Sequence, residues 1–201
     1  ERRIGKTSLL HQIQQRLETL EDPDYAFYSV YIDLQGTPEE KFFATLADQI
    51  FETMGAHLDP QAEILQRASA LGSSKPYTHH HLVRELHGLL KELQSLTDRS
   101  SGDRRVKLVL LIDEVDELNH YDPRVNQSLR SLFMKRFGEN LAAVVAGVGI
   151  RKEWEKEGSP WYNFFEEIPV TAIDQEEAHR LVQEPMRGTF RFESAAVARI
   201  V

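Results

Sequence analysis

The chain has 201 residues, 41% of them hydrophobic and 28% charged, which suffices to bury a core and reads as one ordinary globular domain. A formal net charge of −8, from 24 Lys and Arg against 32 Asp and Glu, argues against a broadly basic nucleic-acid surface. Cysteine is absent, which excludes disulfide frameworks, thiolate zinc sites and cysteine nucleophiles. Neither a bilayer-length apolar run nor a secretory signal is visible, so a soluble, cytoplasmic protein with no membrane span is expected.

In "GKTSLLHQIQQRLETL", Leu9, Leu10, Ile13, Leu17 and Leu20 recur at helical spacing, which predicts a helix opening at Gly5 and Lys6. The acidic "EDPD" ends it. The aromatic and β-branched "YAFYSVYIDL" that follows predicts a strand. Next, "QGTPEE" is a turn in which Thr37 can cap, and Pro38 can fill the first turn of, a helix through "KFFATLADQIFETMG". The pattern stays helical from Asp59 to about Leu96, broken by "GSSKPYT", whose Thr78 can cap the helix of "HHHLVRELHGLLKELQSL". Residues 56–105 therefore read as a helical insertion or lengthened crossover, closed by an exposed polar loop, "TDRSSGDRR".

"VKLVLLIDEVDEL" then brings an apolar run from Val106 to Ile112, interrupted by Lys107 alone and ending in acids. That suits a central parallel strand buried on both faces. A helix in "NQSLRSLFMKRF", a strand in "LAAVVAGV", a short strand in "FEEIPV" and a helix in "DQEEAHRLVQEP" complete the series. Alternating strands and helices predict an α/β fold with a parallel sheet.

Two stretches carry chemistry. Gly5, Lys6 and Thr7 supply the last three fixed positions of G-x-x-x-x-G-K-[ST], and the first glycine would fall one residue before Glu1. In such a loop, backbone N–H groups wrap phosphates and the helix adds the positive end of its dipole. Gly5, Lys6, Thr7 and Ser8 are the nucleotide-binding candidates. Lys6 would reach the β- and γ-phosphates, and the Thr7 hydroxyl would bind Mg2+. The second stretch is the strand "LVLLIDE", whose Asp113 would hold the hydration shell of Mg2+ while Glu114 polarises a water. Both occur in the required order at predicted element boundaries, which together point to nucleotide binding.

With "YIDLQG", "VVAGV" and "SPWYNFFEEIPVTAIDQEEAHRLVQEPMRG" added to these two motifs, the chain resembles the AAA-like P-loop ATPases of the AAA+ and STAND group, of bacterial and archaeal type. The resemblance implies a sheet of order 5-1-4-3-2, and hence a fragment that begins inside Walker A and lacks the first strand and most of the helical lid. It implies an ATPase core over 1–188 and the start of the lid over 189–201. The matching residues would be Lys6 and Thr7 for Walker A, Asp113 for the metal and Glu114 for the catalytic base. The sensor position after the fourth strand holds Gly147 where a polar side chain is expected, with Arg151 a candidate substitute. Arg130 and Arg136 are arginine-finger candidates beside the reading of a basic helix face, and Asp116 extends the acidic strand tip or starts a solvated helix.

The implied function is a slow, Mg2+-dependent ATPase that acts as a conformational switch in a larger signalling or defence protein. Its partners would be ATP, flanking effector or sensor domains of the parent chain and further copies in a homo-oligomer. No guanine-reading NKxD pattern occurs, which favours ATP. The alternatives are a DNA-associated AAA+ ATPase of replication-initiator or transposition-helper type, which the negative charge weakens, and a non-catalytic nucleotide-binding scaffold. "THHH" at 78–81 lacks the spacing of a metal site, the aromatics of "WYNFF" read as core, and Asp33 reads as a cap of the turn after its strand.

Overall fold

The computed structural model describes residues 5–59, 64, 77–136, 138–171, 174–184, 188–189 and 193. Two compact units divide the chain, 1–166 and 167–201. In the first, α1 (Lys6–Thr19) leads to β1 (Tyr25–Asp33), a 3-10 turn (Glu39–Lys41) and α2 (Phe42–Gly55). The long α3 (His79–Ser101) precedes β2 (Arg105–Asp113), a 3-10 segment (Val115–His120), α4 (Pro123–Ser131) with a π turn (Leu132–Arg136), β3 (Leu141–Val145) and α5 (Ile150–Trp154). The second unit holds α6 (Gln175–Gln183), opened by a capping box between Asp174 and Glu177.

The sheet is parallel and three-stranded, in the order β1-β2-β3. Its adjacency is the 4-3-2 portion of the order implied by the resemblance. Alternation along the strands sorts two cores. Val30 and Ile32 of β1, with Val106, Leu108, Leu110 and Ile112 of β2, join the large core that includes Phe42, Leu46 and Ile50 of α2 and Leu82, Leu86, Leu89 and Leu93 of α3. Val109 and Leu111 face the other way and pack with Leu10 of α1, flanked by Phe27 and Tyr31. Asp33 and Asp113 are register partners at the C-terminal edge of the sheet, so the same alternation that buries β2 places both acids there.

In secondary structure the described residues differ from the sequence reading at "FEEIPV", at "TDRSSGDRR" and at Pro38. "FEEIPV" forms no ladder: residues 166–170 have no regular structure and Ile168 is 78% exposed. A strand exists through hydrogen bonds to a neighbour's backbone, and this segment is not a member of the three-stranded sheet. The expected loop "TDRSSGDRR" is helical as far as Ser101. Thr97 and Ser100 return their hydroxyls to the carbonyls of Leu93 and Leu96, and Thr97 also meets the Tyr28 hydroxyl at 3.1 Å, so these polar side chains find partners in the helix and on β1 instead of marking a loop. Pro38 precedes a 3-10 turn instead of entering α2 directly.

Elsewhere the chemistry of the sequence accounts for local form. Thr78 adopts the extended N-cap conformation of α3, and its backbone N–H donates to Nδ1 of His81. At Gly88, mid-helix, a Cβ would stand 2.8 Å from the Ile64 Cδ1 atom, so the Ile64 side chain packs directly on the helix backbone there. Of the "WYNFF" aromatics, Trp161, Phe164 and Phe165 are core and Tyr162 is exposed: Trp161 stacks on Trp154 with centroids 5.2 Å apart, and Phe165 lies against both.

Candidate functional site

Gly5 precedes α1 with φ at 91°, a backbone that L side chains resist, and its carbonyl accepts the first helical bond from Leu9 at 2.8 Å. Lys6, Thr7 and Ser8 follow in the first turn of α1, at the positive end of its dipole. Glu1 to Ile4 lie outside the described residues.

Thr7 donates from Oγ1 to Oδ2 of Asp113 at 2.6 Å. That bond joins the two motifs across 106 positions of sequence. Asp113 is buried, and both its oxygens are hydrogen-bonded: Oδ2 also accepts from the Tyr31 hydroxyl at 3.2 Å, while Oδ1 accepts from the backbone N–H of Glu114 at 2.9 Å. A hydroxyl and a carboxylate side by side are hard oxygen donors, the chemistry Mg2+ prefers. Among the described residues no group of three His, Cys, Asp or Glu could hold a metal ion. A cation bound here would therefore draw further oxygens from phosphates and water, as Mg2+ commonly does.

Glu114 has φ 50° and ψ 39°, the left-handed region, which a non-glycine residue enters at a cost of about 1–2 kcal/mol. Three bonds hold the peptide geometry around it: its own N–H to Asp113, the N–H of Val115 to the Ala146 carbonyl at 3.0 Å, and the N–H of Glu117 to its carbonyl at 3.1 Å. Burial, followed by the carboxylates of Asp116 and Asp113, pushes the Glu114 carboxyl up from its ordinary value, against a smaller downward pull from Lys6. Tyr31 is pushed up to about 12 by burial first and by Asp113 second.

Asp116 is not a solvated helix start. Its Oδ1 accepts from the backbone N–H of Val148 at 2.8 Å, tying the exit of β2 to the exit of β3. Gly147 is required by that bond, since a Cβ there would lie 2.5 Å from Asp116 Oδ1. The loop after β1 is tethered to the same segment. Gly36 N–H donates to Glu117 Oε1 at 3.2 Å, Asp122 N–H donates to Glu39 Oε2 at 2.7 Å, and the Tyr121 hydroxyl donates to the Thr37 carbonyl. Asp33 accepts from Gln35 N–H at 2.8 Å, which makes it the cap of its turn.

Arg130 is engaged within its own chain: Nη1 donates to the Pro160 carbonyl at 2.7 Å, and the guanidinium lies 5.3 Å from the Phe164 ring centroid. The side chains of Arg136 and Arg151 lie outside the described residues, as does nearly all of the lid expected over 189–201. The residue that sequence reading passes over is Tyr31. Its strand position signals only that it shares a face with Asp33 and, through the register, with Asp113.

A parallel sheet carrying an acid at the tip of its central strand, with a glycine-opened helix donating a threonine hydroxyl to that acid, defines the P-loop NTPase fold. No family model and no curated protein matches the chain. Among solved structures it is similar to a Walker-type ATPase of Pyrococcus abyssi, with a TM-score of 0.61 and 18% identity, over 98% of this chain and 55% of that one. The chain thus spans little more than half the length of that neighbour, and the likeness is one of fold. No helix among the described residues is long and apolar enough to cross a membrane.

Proposed function

We propose that this chain binds ATP with Mg2+ and hydrolyses it slowly, as the switch module of a larger signalling or defence protein. The observation that carries the reading is the 2.6 Å bond from Thr7 to Asp113, which brings the phosphate-loop hydroxyl and the strand-tip acid into one site. In support stand the N-terminus of α1, whose helix dipole puts its positive end where a phosphate would sit, and the P-loop fold shared with a protein titled a Walker-type ATPase.

In this reading the first turn of α1 receives the phosphates, with Lys6 supplying positive charge beside them. Thr7 keeps its proton on Asp113 while its lone pairs stay free for a cation, and Asp113 orients the surrounding water. Bound Mg2+ supplies neutralisation of charge on the transferring phosphoryl group. Glu114 positions the attacking water and takes up its proton, and its left-handed backbone fixes where the carboxylate starts from. Asp116 acts through the main chain: by holding Val148 it fixes the loop that carries Gly147, where a polar sensor side chain is lacking. The switch follows from differential contact, because only the triphosphate offers a γ-phosphate to nearby segments. Flanking domains, or further copies of the chain, would read that difference.

The test is steady-state ATP turnover with Lys6→Ala as the zero and Glu114→Gln as the chemical-step variant, measured with and without duplex DNA. Slow turnover that requires both residues and ignores DNA supports the switch. Equal rates for the wild type and Glu114→Gln would indicate a binding scaffold, and strong stimulation by DNA would move the protein to the DNA-remodelling branch.

A further inference from the structure

The Asp113 carboxylate belongs to a closed ring of side chains that extends past the two motifs. Thr7 and His11 are four residues apart on α1 and so project from the same side of the helix. Thr7 reaches Asp113 directly. His11 reaches it through Tyr31: the imidazole lies on the phenol ring with centroids 4.5 Å apart at 30°, and the Tyr31 hydroxyl donates to Asp113 Oδ2 at 3.2 Å. Tyr31 also packs with the small α1-side core around Leu10, Val109 and Leu111, which anchors its ring.

From this geometry we infer that Tyr31, held by His11, is a positioning residue that sets the orientation of the Asp113 carboxylate for a divalent cation. The inference rests on the nucleotide-site reading above. A carboxylate can rotate about its last side-chain bond. The Glu114 N–H and the Thr7 hydroxyl each fix one oxygen, but Thr7 sits on an exposed helix start and Glu114 on the segment after the strand. Tyr31 is the donor that comes from the sheet itself, on the strand paired in register with β2. It is thereby independent of motion in either motif. Donors that hydrogen-bond a carboxylate of a metal site orient it, whether it meets the ion directly or through bound water, and loss of such outer partners typically lowers metal affinity by about tenfold or more.

The measurement is the factor by which saturating Mg2+ tightens binding of a fluorescent, non-hydrolysable ATP analogue to the full chain, with affinity in excess EDTA as the metal-free reference. Tyr31→Phe keeps the ring on His11 and removes only the hydroxyl. It should lower the Mg2+ factor about tenfold while leaving the metal-free affinity at the wild-type value, a split that general loosening of the fold would not produce. His11→Ala should shift the same factor in the same direction by less. Asp113→Asn should abolish the factor, and Lys6→Ala should weaken binding with and without Mg2+. If those last two variants behave as stated but Tyr31→Phe keeps or raises the wild-type factor, the role of Tyr31 is overturned and the nucleotide site stands. If neither Lys6→Ala nor Asp113→Asn has an effect, the nucleotide site falls and the inference with it. Should Tyr31→Phe fail to fold, an unchanged factor in His11→Ala would overturn the ring.

Discussion

Glu114 offers a test in which glycine and alanine should exchange their usual order. Its φ of 50° places it in the left-handed region, where any side chain with a Cβ pays about 1–2 kcal/mol. Glycine avoids that strain but loses about 0.5–1 kcal/mol through the greater freedom of its unfolded chain. The difference spans about 0–1.5 kcal/mol, and its midpoint leaves Glu114→Gly more stable than Glu114→Ala by about 0.7 kcal/mol. Both variants remove the carboxylate, so the comparison isolates the backbone. At the exposed Gln127 in α4 the order should be the ordinary one, with glycine less stable than alanine by about 1 kcal/mol. Urea unfolding of the four variants reads both signs, and in thermal melts each kcal/mol corresponds to about 2–4 °C for a chain of this size. If glycine falls below alanine at both positions, the bonds around Glu114 do not enforce the left-handed turn, and the account of how its carboxylate is aimed fails. If the order inverts at 114 alone, the chain holds a strained residue at the tip of its central strand, as functional sites often do.

Gly147→Ala would force a Cβ to within 2.5 Å of Asp116 Oδ1 and should destabilise by about 1–3 kcal/mol. Adding Asp116→Ala should recover part of that loss, and strictly additive effects in the double-mutant cycle would contradict the close approach. Asn126, buried in α4, donates to the Leu118 carbonyl at 2.9 Å and accepts from Trp161 Nε1 at 2.9 Å. Asn126→Ala leaves the buried Trp161 indole N–H without its acceptor, while the Leu118 carbonyl keeps the Tyr121 N–H at 3.4 Å, and should cost about 1–3 kcal/mol in denaturant unfolding, with a changed near-UV signal from Trp161; a loss within the error of the wild type would reject the Trp161 bond. Burial, then Glu117, Glu39 and Glu40, push the Tyr121 phenol up from 10.0 to about 12. The folded state therefore holds this proton more tightly, so its contribution is fully present below about 10 and is lost as pH rises towards about 12. Tyr121→Phe should show a shallower alkaline loss of stability than the wild type, with Tyr31 and Tyr77, also raised, supplying the remainder.

What the sequence exposed and what it concealed divide along a physical line. Motif residues were legible because spacing and element boundary coincide: "GKT" stands where helical periodicity begins, and "IDE" where an apolar run ends. That β1, β2 and β3 run parallel followed from strands separated by helices, and their order from the resemblance. Tyr31 was hidden because a strand tyrosine has the same local signature whether its hydroxyl meets a carboxylate or solvent, and only the register with Asp113 decides. Asp116 was hidden for a related reason, since its partner is the backbone N–H of Val148, which every residue except proline possesses and no pattern can mark. "FEEIPV" misled in the opposite direction. Its β-branched and aromatic content records a preference for extended backbone, whereas a strand also needs an edge to pair with. The three cases share one cause: sequence signals report what a residue prefers, and in this site the deciding contacts are made by a neighbour's backbone or by strand register. The register that stacks Asp33 beside Asp113 also sets Tyr31 beside the strand-tip acid, so one alignment of β1 on β2 places every β1 side chain that meets the candidate metal site. A substitution that slipped β1 by one residue would turn Tyr31 into the large core and, on this reasoning, would remove the hydroxyl from Asp113 without touching either motif.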